Sequence, residues 1–213
     1  MTRAIMILGG GGHARVLIEA LLRSGASIAA IVESDPATVG GLVRSIPVIA
    51  EDDFLGRFSP DQVLLVNGIG SIKKTETRQR VFDRFKGLGH DFHSVIDPSA
   101  VVASDAVLGE GAQLIAGSII QPGSRLGSNV IVNTGGRVDH DCVIGDHVHI
   151  APGVTLSGGV RIGAGSHIGT GSTIIQGITI GAHTIIGAGA VVVRDVKDGE
   201  TVVGIPAKVI AHG

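Results

Sequence analysis

The chain has 213 residues, 44% hydrophobic and 17% charged, with a formal net charge of -2 at pH 7. No basic block and almost no aromatics (five Phe, no Trp, no Tyr) argue against nucleic-acid binding by charge or base stacking. One cysteine, Cys142, excludes an internal disulfide and fits a reducing compartment, and no stretch approaches the roughly 20 apolar residues of a membrane span. The start MTRAIMILGGGGHARV lacks a signal-type cleavage region, so a cytoplasmic location is expected.

Residues 3–90 alternate between strand and helix patterns. AIMILG is a short apolar strand, and GGGHARVLIEALLRSG a helix whose Val16, Leu17, Ala20 and Leu21 form an apolar stripe. SIAAIVESD reads as a second strand, IPVIAEDDFLGRF as a short strand and a helix, and DQVLLVNGIG as another strand. ETRQRVFDRFKGLG is a helix that stops at glycine. Such alternation implies a small parallel sheet with right-handed crossovers, a Rossmann-like α/β domain over residues 1–92.

From Ile96 the period becomes six. Steps of six from Ile96 to Val192 meet an aliphatic residue at all seventeen positions. Four places later comes a mostly small residue, among them Ala100, Ala112, Ser118, Ser124, Ser166 and Ser172. A hexapeptide period reads as a parallel β-helix, each hexad supplying a short strand and a turn, with the aliphatic stacked inward. Each buried aliphatic contributes roughly 1.5–3 kcal/mol, which in sum offsets much of the cost of ordering the chain. Thirty-four glycines, most of them after residue 108, suit the tight corners.

The segment GGRVDHDCVIGDHVHIAPG holds His140, His147 and His149. With three hexads to a coil, His149 and His167, 18 apart, share a wall, while His140 lies half a coil from His149. The two do not easily converge within one chain, but can do so across a subunit boundary. Solvated or packing histidines are the plain reading, and it is kept for His90, His93, His147, His167 and His183. A zinc site, as in the gamma-class carbonic anhydrases, needs three ligands, and HVH has no obvious third partner. A general base is the third reading, since imidazole titrates near neutrality and Asp141 can orient it. Cys142 sits in the small-residue slot of its hexad and reads as packing rather than as an acyl carrier.

LGGGGHARV follows a strand and opens a helix, so its backbone N–H groups can cradle phosphate. Gly9, Gly11 and Ala14 also satisfy a loose dinucleotide fingerprint with Glu33 about 20 residues on, but the domain is only half of a full dinucleotide fold. Plain turn geometry is the alternative for these glycines.

The hexad run, the closing VVGIPAKVI and NTGGRVDHDCVIGDHVHIAPG together resemble the left-handed β-helix acyltransferases that acetylate nucleotide aminosugars. Those are the UDP-bacillosamine-type and GDP-perosamine N-acetyltransferases. The resemblance implies a left-handed β-helix over residues 93–213, ending in a short tail, and a homotrimer with sites between neighbouring β-helices. It makes His140 the general base and Asp141 its carboxylate partner, with His149, Gly158, Thr170 and Ala188 along the acetyl-CoA groove. Gly11, Gly12 and His13 match the family's Gly-Ser-Gly-His loop, with Gly11 in place of the usual serine. Glu33 and Ser34 stand at its acidic strand end, and Gly68, Ile69 and Gly70 at its second glycine loop, all as nucleotide-sugar contacts.

The reaction so implied is transfer from acetyl-CoA to the C4 amine of a nucleotide-linked 4-amino-4,6-dideoxysugar, for bacterial surface glycan, without metal, nucleic acid or membrane. The unbroken hexad run leaves no room for the protruding loop of many relatives, so the α/β domain must supply the sugar pocket. Sugar O-acetylation of the sialic-acid type stays open, as does a non-catalytic NAD- or nucleotide-binding trimer.

Overall fold

The computed structural model describes residues 3–71 and 75–210. Residues 72–74, inside the expected segment NGIGSIKKTETRQR, and the last three residues of the tail lie outside the described residues.

The chain opens with β1 (Ala4–Leu8), α1 (Gly12–Arg23), β2 (Ile28–Glu33), β3 (Leu42–Val43) and β4 (Ile46–Ala50). It continues with α2 (Glu51–Arg57), β5 (Val63–Asn67) and α3 (Glu76–Gly87). The sheet order is β3-β4-β2-β1-β5, with β1, β2, β4 and β5 parallel. β1 is apolar on both faces because both are covered. Ile5 and Ile7 pack with α1, while Met6 and Leu8 pack with Phe54, Phe82 and Phe85 of α2 and α3.

Two details depart from the sequence pattern. β3 pairs antiparallel with β4 in a tight hairpin through Arg44 and Ser45, both left-handed, which residues of these types do not advertise. The buried face of α1 is Ala14, Leu17, Ile18, Ala20 and Leu21, whereas Val16, expected in the stripe, is exposed. Val16 lies one helical step off that face and borders a cavity instead.

From Val95–Ile96 to Val191–Val192, seventeen two-residue strands wind as a parallel β-helix with three walls. Pairing is offset by 18 residues, as in His149↔His167 and Ile150↔Ile168, so like positions stack in columns. One continuous cluster from Leu114 to Val202 fills the interior. Ile96, expected to point into a stack, is 42% exposed because no coil lies beneath the first. The small residues of each hexad have a second use. Ser124 Oγ donates to Asp139 O and accepts from Cys142 N, and Ser166 Oγ does the same with Gly181 O and Thr184 N. The first wall also takes up Thr201–Val203 and Lys208–Val209.

The α/β unit docks on the first wall. Val95 and Ile115 complete the α1 core, Arg23 pairs with the buried Asp97, and Thr75 Oγ1 donates to Gly165 O. No described helix is long and apolar enough to cross a membrane.

Corner packing yields a stability test. A Cβ on Gly145 would stand 2.7 Å from Ala164 N and 3.0 Å from its Cα, backbone that cannot swing away. Gly145→Ala should therefore destabilise by roughly 1–3 kcal/mol through overpacking, and Ile150→Ala, a fully buried site, by roughly 2–5 kcal/mol through a cavity. Gly11→Ala, whose Cβ meets nothing within 4 Å, should leave the thermal midpoint in place. Equal midpoints for Gly145→Ala and wild type would refute the close-packed corner.

Candidate active site

A cavity of about 980 Å³ opens where the α/β unit meets the first wall. Gly9–Gly12 after β1, Gly68–Ser71 after β5, His13 and Glu33 line it from the α/β side, Asn133 and His149 from the β-helix. β1 lies between β2 and β5, so the chain leaves it in one direction and returns on the other side, and a crevice forms at the strands' carboxyl ends. The first turn of α1 has no side-chain cap and no acidic residue, leaving free N–H donors and the positive helix end at this crevice. Glu33 Oε1 accepts the Gly10 N–H at 2.5 Å, fixing the loop against β2. An adjoining cleft of about 320 Å³ shares Glu33 and adds Ser34, Pro36, Glu51 and Asp52. Of the residues expected on the nucleotide-sugar side, only Ser34 is outside the main cavity.

Two histidines at this seam are held neutral. Gln113 Nε2 donates to Asn67 O at 2.8 Å, so its Oε1, 2.7 Å from His13 Nε2, accepts a hydrogen bond from that N–H. Burial, and then the Arg78 charge, push the His13 pKa down to about 4. Asn133 Oδ1 accepts the Thr134 N–H, which turns its Nδ2 toward His149 Nε2 at 3.2 Å. His149 Nε2 is therefore an acceptor, and Nδ1, 2.6 Å from Ser71 Oγ, carries the proton. Burial first, then His167, His13 and Arg78, hold the His149 pKa well below the usual range.

His140 is elsewhere. It stands on the corner between the second and third walls, where Asp141 N bonds Pro122 O below and Gly159 N bonds His140 O above. Its Nδ1 is 2.9 Å from Asp141 Oδ2, and this contact is the main reason its pKa is raised. Asp141 has φ 59°, whereas Gly123 and Gly159 occupy the equivalent turns one coil below and above. Asp141 is thus a left-handed aspartate in a column of glycines, a conformation its short polar side chain tolerates, and it touches the imidazole beside it. Gly158 lies directly over the ring, and a Cβ there would collide with His140 Nε2.

The remaining candidates separate along the same lines. Thr170 and Ala188 are exposed and stacked, Gly189 N bonding Thr170 O, on the corner next to the His149 wall. Gly158 belongs to the His140 corner, so one chain does not gather the four acetyl-CoA candidates. His147 is buried, accepting from Asn129 Nδ2 at 3.0 Å and resting edge-on against Phe82. Its neighbours His140 and His149 point to other places, and no cluster of three or more His, Cys, Asp or Glu among the described residues is placed to hold a metal ion. Cys142 is buried, its thiol donating to Ser157 O, and burial raises its pKa.

His167 packs on the wall as expected and has a polar neighbour besides. It meets His149 edge-on at 5.0 Å and lies 3.3 Å from Ser71 Oγ. Sequence reasoning missed Ser71, Asn133 and Gln113. Asn133 at least carried a signal, as the first residue of the quoted NTGG segment.

Comparison with known proteins agrees with this geometry. Residues 4–85 match the PglD N-terminal domain family and residues 159–194 the bacterial transferase hexapeptide (six repeats) family. The UDP-N-acetylbacillosamine N-acetyltransferase of Bacillus subtilis (strain 168) is 39% identical over 53% of this chain, and the match spans about half of that relative, 51%. The GDP-perosamine N-acetyltransferase of Escherichia coli O157:H7 is 32% identical over 72% of this chain and 70% of its own length. The perosamine N-acetyltransferase of Caulobacter crescentus, solved as a mutant with CoA and GDP-perosamine, superposes with a TM-score of 0.92 at 39% identity. That superposition covers 100% of this chain and 99% of that one. Both halves of the molecule thus find their counterparts in the same relatives, in the same order, and the chain belongs to the left-handed β-helix, hexapeptide-repeat family of nucleotide-aminosugar N-acetyltransferases.

Proposed function

We propose that this chain transfers an acetyl group from acetyl-CoA to the C4 amine of a nucleotide-linked 4-amino-4,6-dideoxysugar. The cavity at the α/β seam holds the nucleotide sugar, with its phosphates on the α1 N-terminus. Acetyl-CoA is the co-substrate and runs along the β-helix corners, whose exposed backbone and small side chains suit a long, thin ligand. The reading is supported by relatives named for this reaction and by a neighbour that binds CoA and GDP-perosamine. A cytoplasmic site goes with acetyl-CoA as donor.

The observation that carries the mechanism is His140 itself. Asp141 takes the Nδ1–H, Nε2 keeps its lone pair, and Gly158, having no Cβ, makes room for the ring beneath it. As the amine lone pair attacks the thioester carbonyl carbon, Nε2 accepts the amine's proton. A backbone N–H steadies the oxyanion. When the C–S bond breaks, the imidazolium returns the proton to the leaving thiolate. His149, neutral and with both nitrogens engaged, positions rather than titrates. Since His140 stands on the corner between the second and third walls and His149 on the first wall, the complete site joins that corner of one subunit to the first wall of its neighbour, in a homotrimer.

His140→Ala or His140→Asn should lower kcat by about 10²–10⁴-fold with the assembly intact, and steady-state kinetics on sized protein will read it. The base must be neutral, so the rate falls as pH drops through its raised pKa. Asp141→Asn removes the main cause of that rise, so the acidic limb should move to lower pH with a milder loss of rate. Asparagine tolerates the left-handed backbone at this position. Gly158→Ala should lower kcat by displacing the ring.

Mixing His140→Ala with His149→Ala chains should restore activity in a fraction of the sites, provided each variant alone is impaired. Verified mixed oligomers with no recovery would place both residues in one subunit's site.

Gly11→Val projects into the cavity from an open position. It should weaken nucleotide-sugar binding and spare acetyl-CoA in calorimetric titration. Tight NAD binding with no affinity for any nucleotide sugar would overturn the assignment.

A further inference from the structure

Arg78 is among the largest fully buried side chains of the molecule, and no carboxylate among the described residues forms an ion pair with it. Its guanidinium is spent on main-chain carbonyls. Nη1 donates to Asn67 O at 3.0 Å and to Ile69 O at 2.9 Å, while Nε and Nη2 donate to Asn129 O at 3.3 Å. Asn67, the last residue of β5, and Ile69 bracket Gly68 at the start of the loop that follows, and Asn129 is a left-handed corner of the β-helix. One planar side chain therefore ties the cavity's glycine loop to the solenoid.

Further hydrogen bonds hold the start of that loop. Asn67 Nδ2 donates to Arg78 O and to Asn129 Oδ1, and its Oδ1 accepts Ile69 N–H. Gly68 donates to Leu8 O, and a Cβ on it would stand 2.7 Å from that oxygen. Such an unneutralised buried cation is expensive, and a simple domain latch built from apolar or neutral groups would avoid the expense. The charge lies next to a cavity suited to phosphate, and burial alone pushes its pKa down only to about 9.

The geometry points to Arg78 as a positioning residue for the nucleotide-sugar subsite: it sets the 67–70 loop by gathering its carbonyls and supplies a buried positive charge behind the cavity wall. The assignment rests on the nucleotide-sugar reading above. A lysine keeps the charge but offers no flat fork for three carbonyls, and a methionine keeps the stem and loses both.

Arg78→Lys and Arg78→Met should be compared in the full-length chain, each checked for folding by circular dichroism. Calorimetry with GDP and UDP reads the loop. Whichever nucleotide binds the wild type should bind each variant more weakly, on the order of tenfold, with the methionine the worse. Ligand-free NMR titration of the His13 ring reads the charge. Apart from burial, the influences on His13 are Arg78 and the Gln113 hydrogen bond, with the neutral His149 and the cavity-lining Glu33 as its titratable neighbours. Its midpoint, about 4 in the wild type, should rise in Arg78→Met and stay low in Arg78→Lys. Unchanged nucleotide affinity in both folded variants overturns the positioning role. An equal rise of the His13 midpoint in both overturns the electrostatic one, because loosening rather than charge would explain it. If neither GDP nor UDP binds the wild type, the nucleotide-sugar reading has failed, and the His13 titration still decides the electrostatic role of Arg78. Should the methionine variant not fold, Arg78→Gln takes its place, removing the charge while keeping hydrogen-bond donors.

Discussion

Everything in this molecule depends on an 18-residue register. Each two-residue strand pairs with its equivalent one coil on, and inward aliphatics such as Ile150 and Ile168 stack with almost no lateral freedom. Because the backbone ladder and the apolar core enforce the same offset, a slip at one coil breaks both at once. The consequence for chemistry is that side chains come in columns. His149 stands above Ile131 and below His167, and His140 stands between Pro122 and Gly158, as directly as rungs.

The α/β unit uses that rigidity as a base. Its contacts with the first wall are a mixture of apolar packing through Val95 and Ile115 and a buried polar seam of Asn67, Arg78, Gln113 and Asn129. The polar seam borders the cavity, and its electrostatics oppose those at the far corner. Near the seam, burial and Arg78 keep His13 and His149 uncharged. At the corner, Asp141 favours the charged form of His140. One imidazole is biased toward its charged form, and the others away from it.

How much of this could be read from the chain follows from the range of the interactions. The β-helix was legible because its signal is local and repeated seventeen times, as was the strand–helix order of residues 3–90. His140 and Asp141 were legible as a motif, and the 18-residue spacing put His167 beside His149. The contact of His167 with Ser71 was not, because the two are 96 positions apart. Gln113 was hidden for the same reason, since its partners His13 and Asn67 belong to the other unit of the fold, and so was the bond of Arg78 to Asn129 O. The β3–β4 hairpin escaped notice because its turn has no glycine or asparagine, and Val16 because an apolar residue at a cavity rim looks like one in a core.

The corner column that holds His140 also sets a scale. Successive coils are about 4.8 Å apart, the spacing of paired strands, so the axial height of the proposed base above the α/β unit is quantised. Insertion of one 18-residue coil between Leu114 and Val138 would raise His140 by one step and leave its own turn, its aspartate and its overhead glycine untouched. A tandem solenoid can therefore change that height only in whole steps, and each step would also carry His149 and Gly165 away from Ser71 and Thr75, their partners in the α/β unit. The height of the proposed base and the docking of the α/β unit are thus set by one and the same coil count, and neither can change alone.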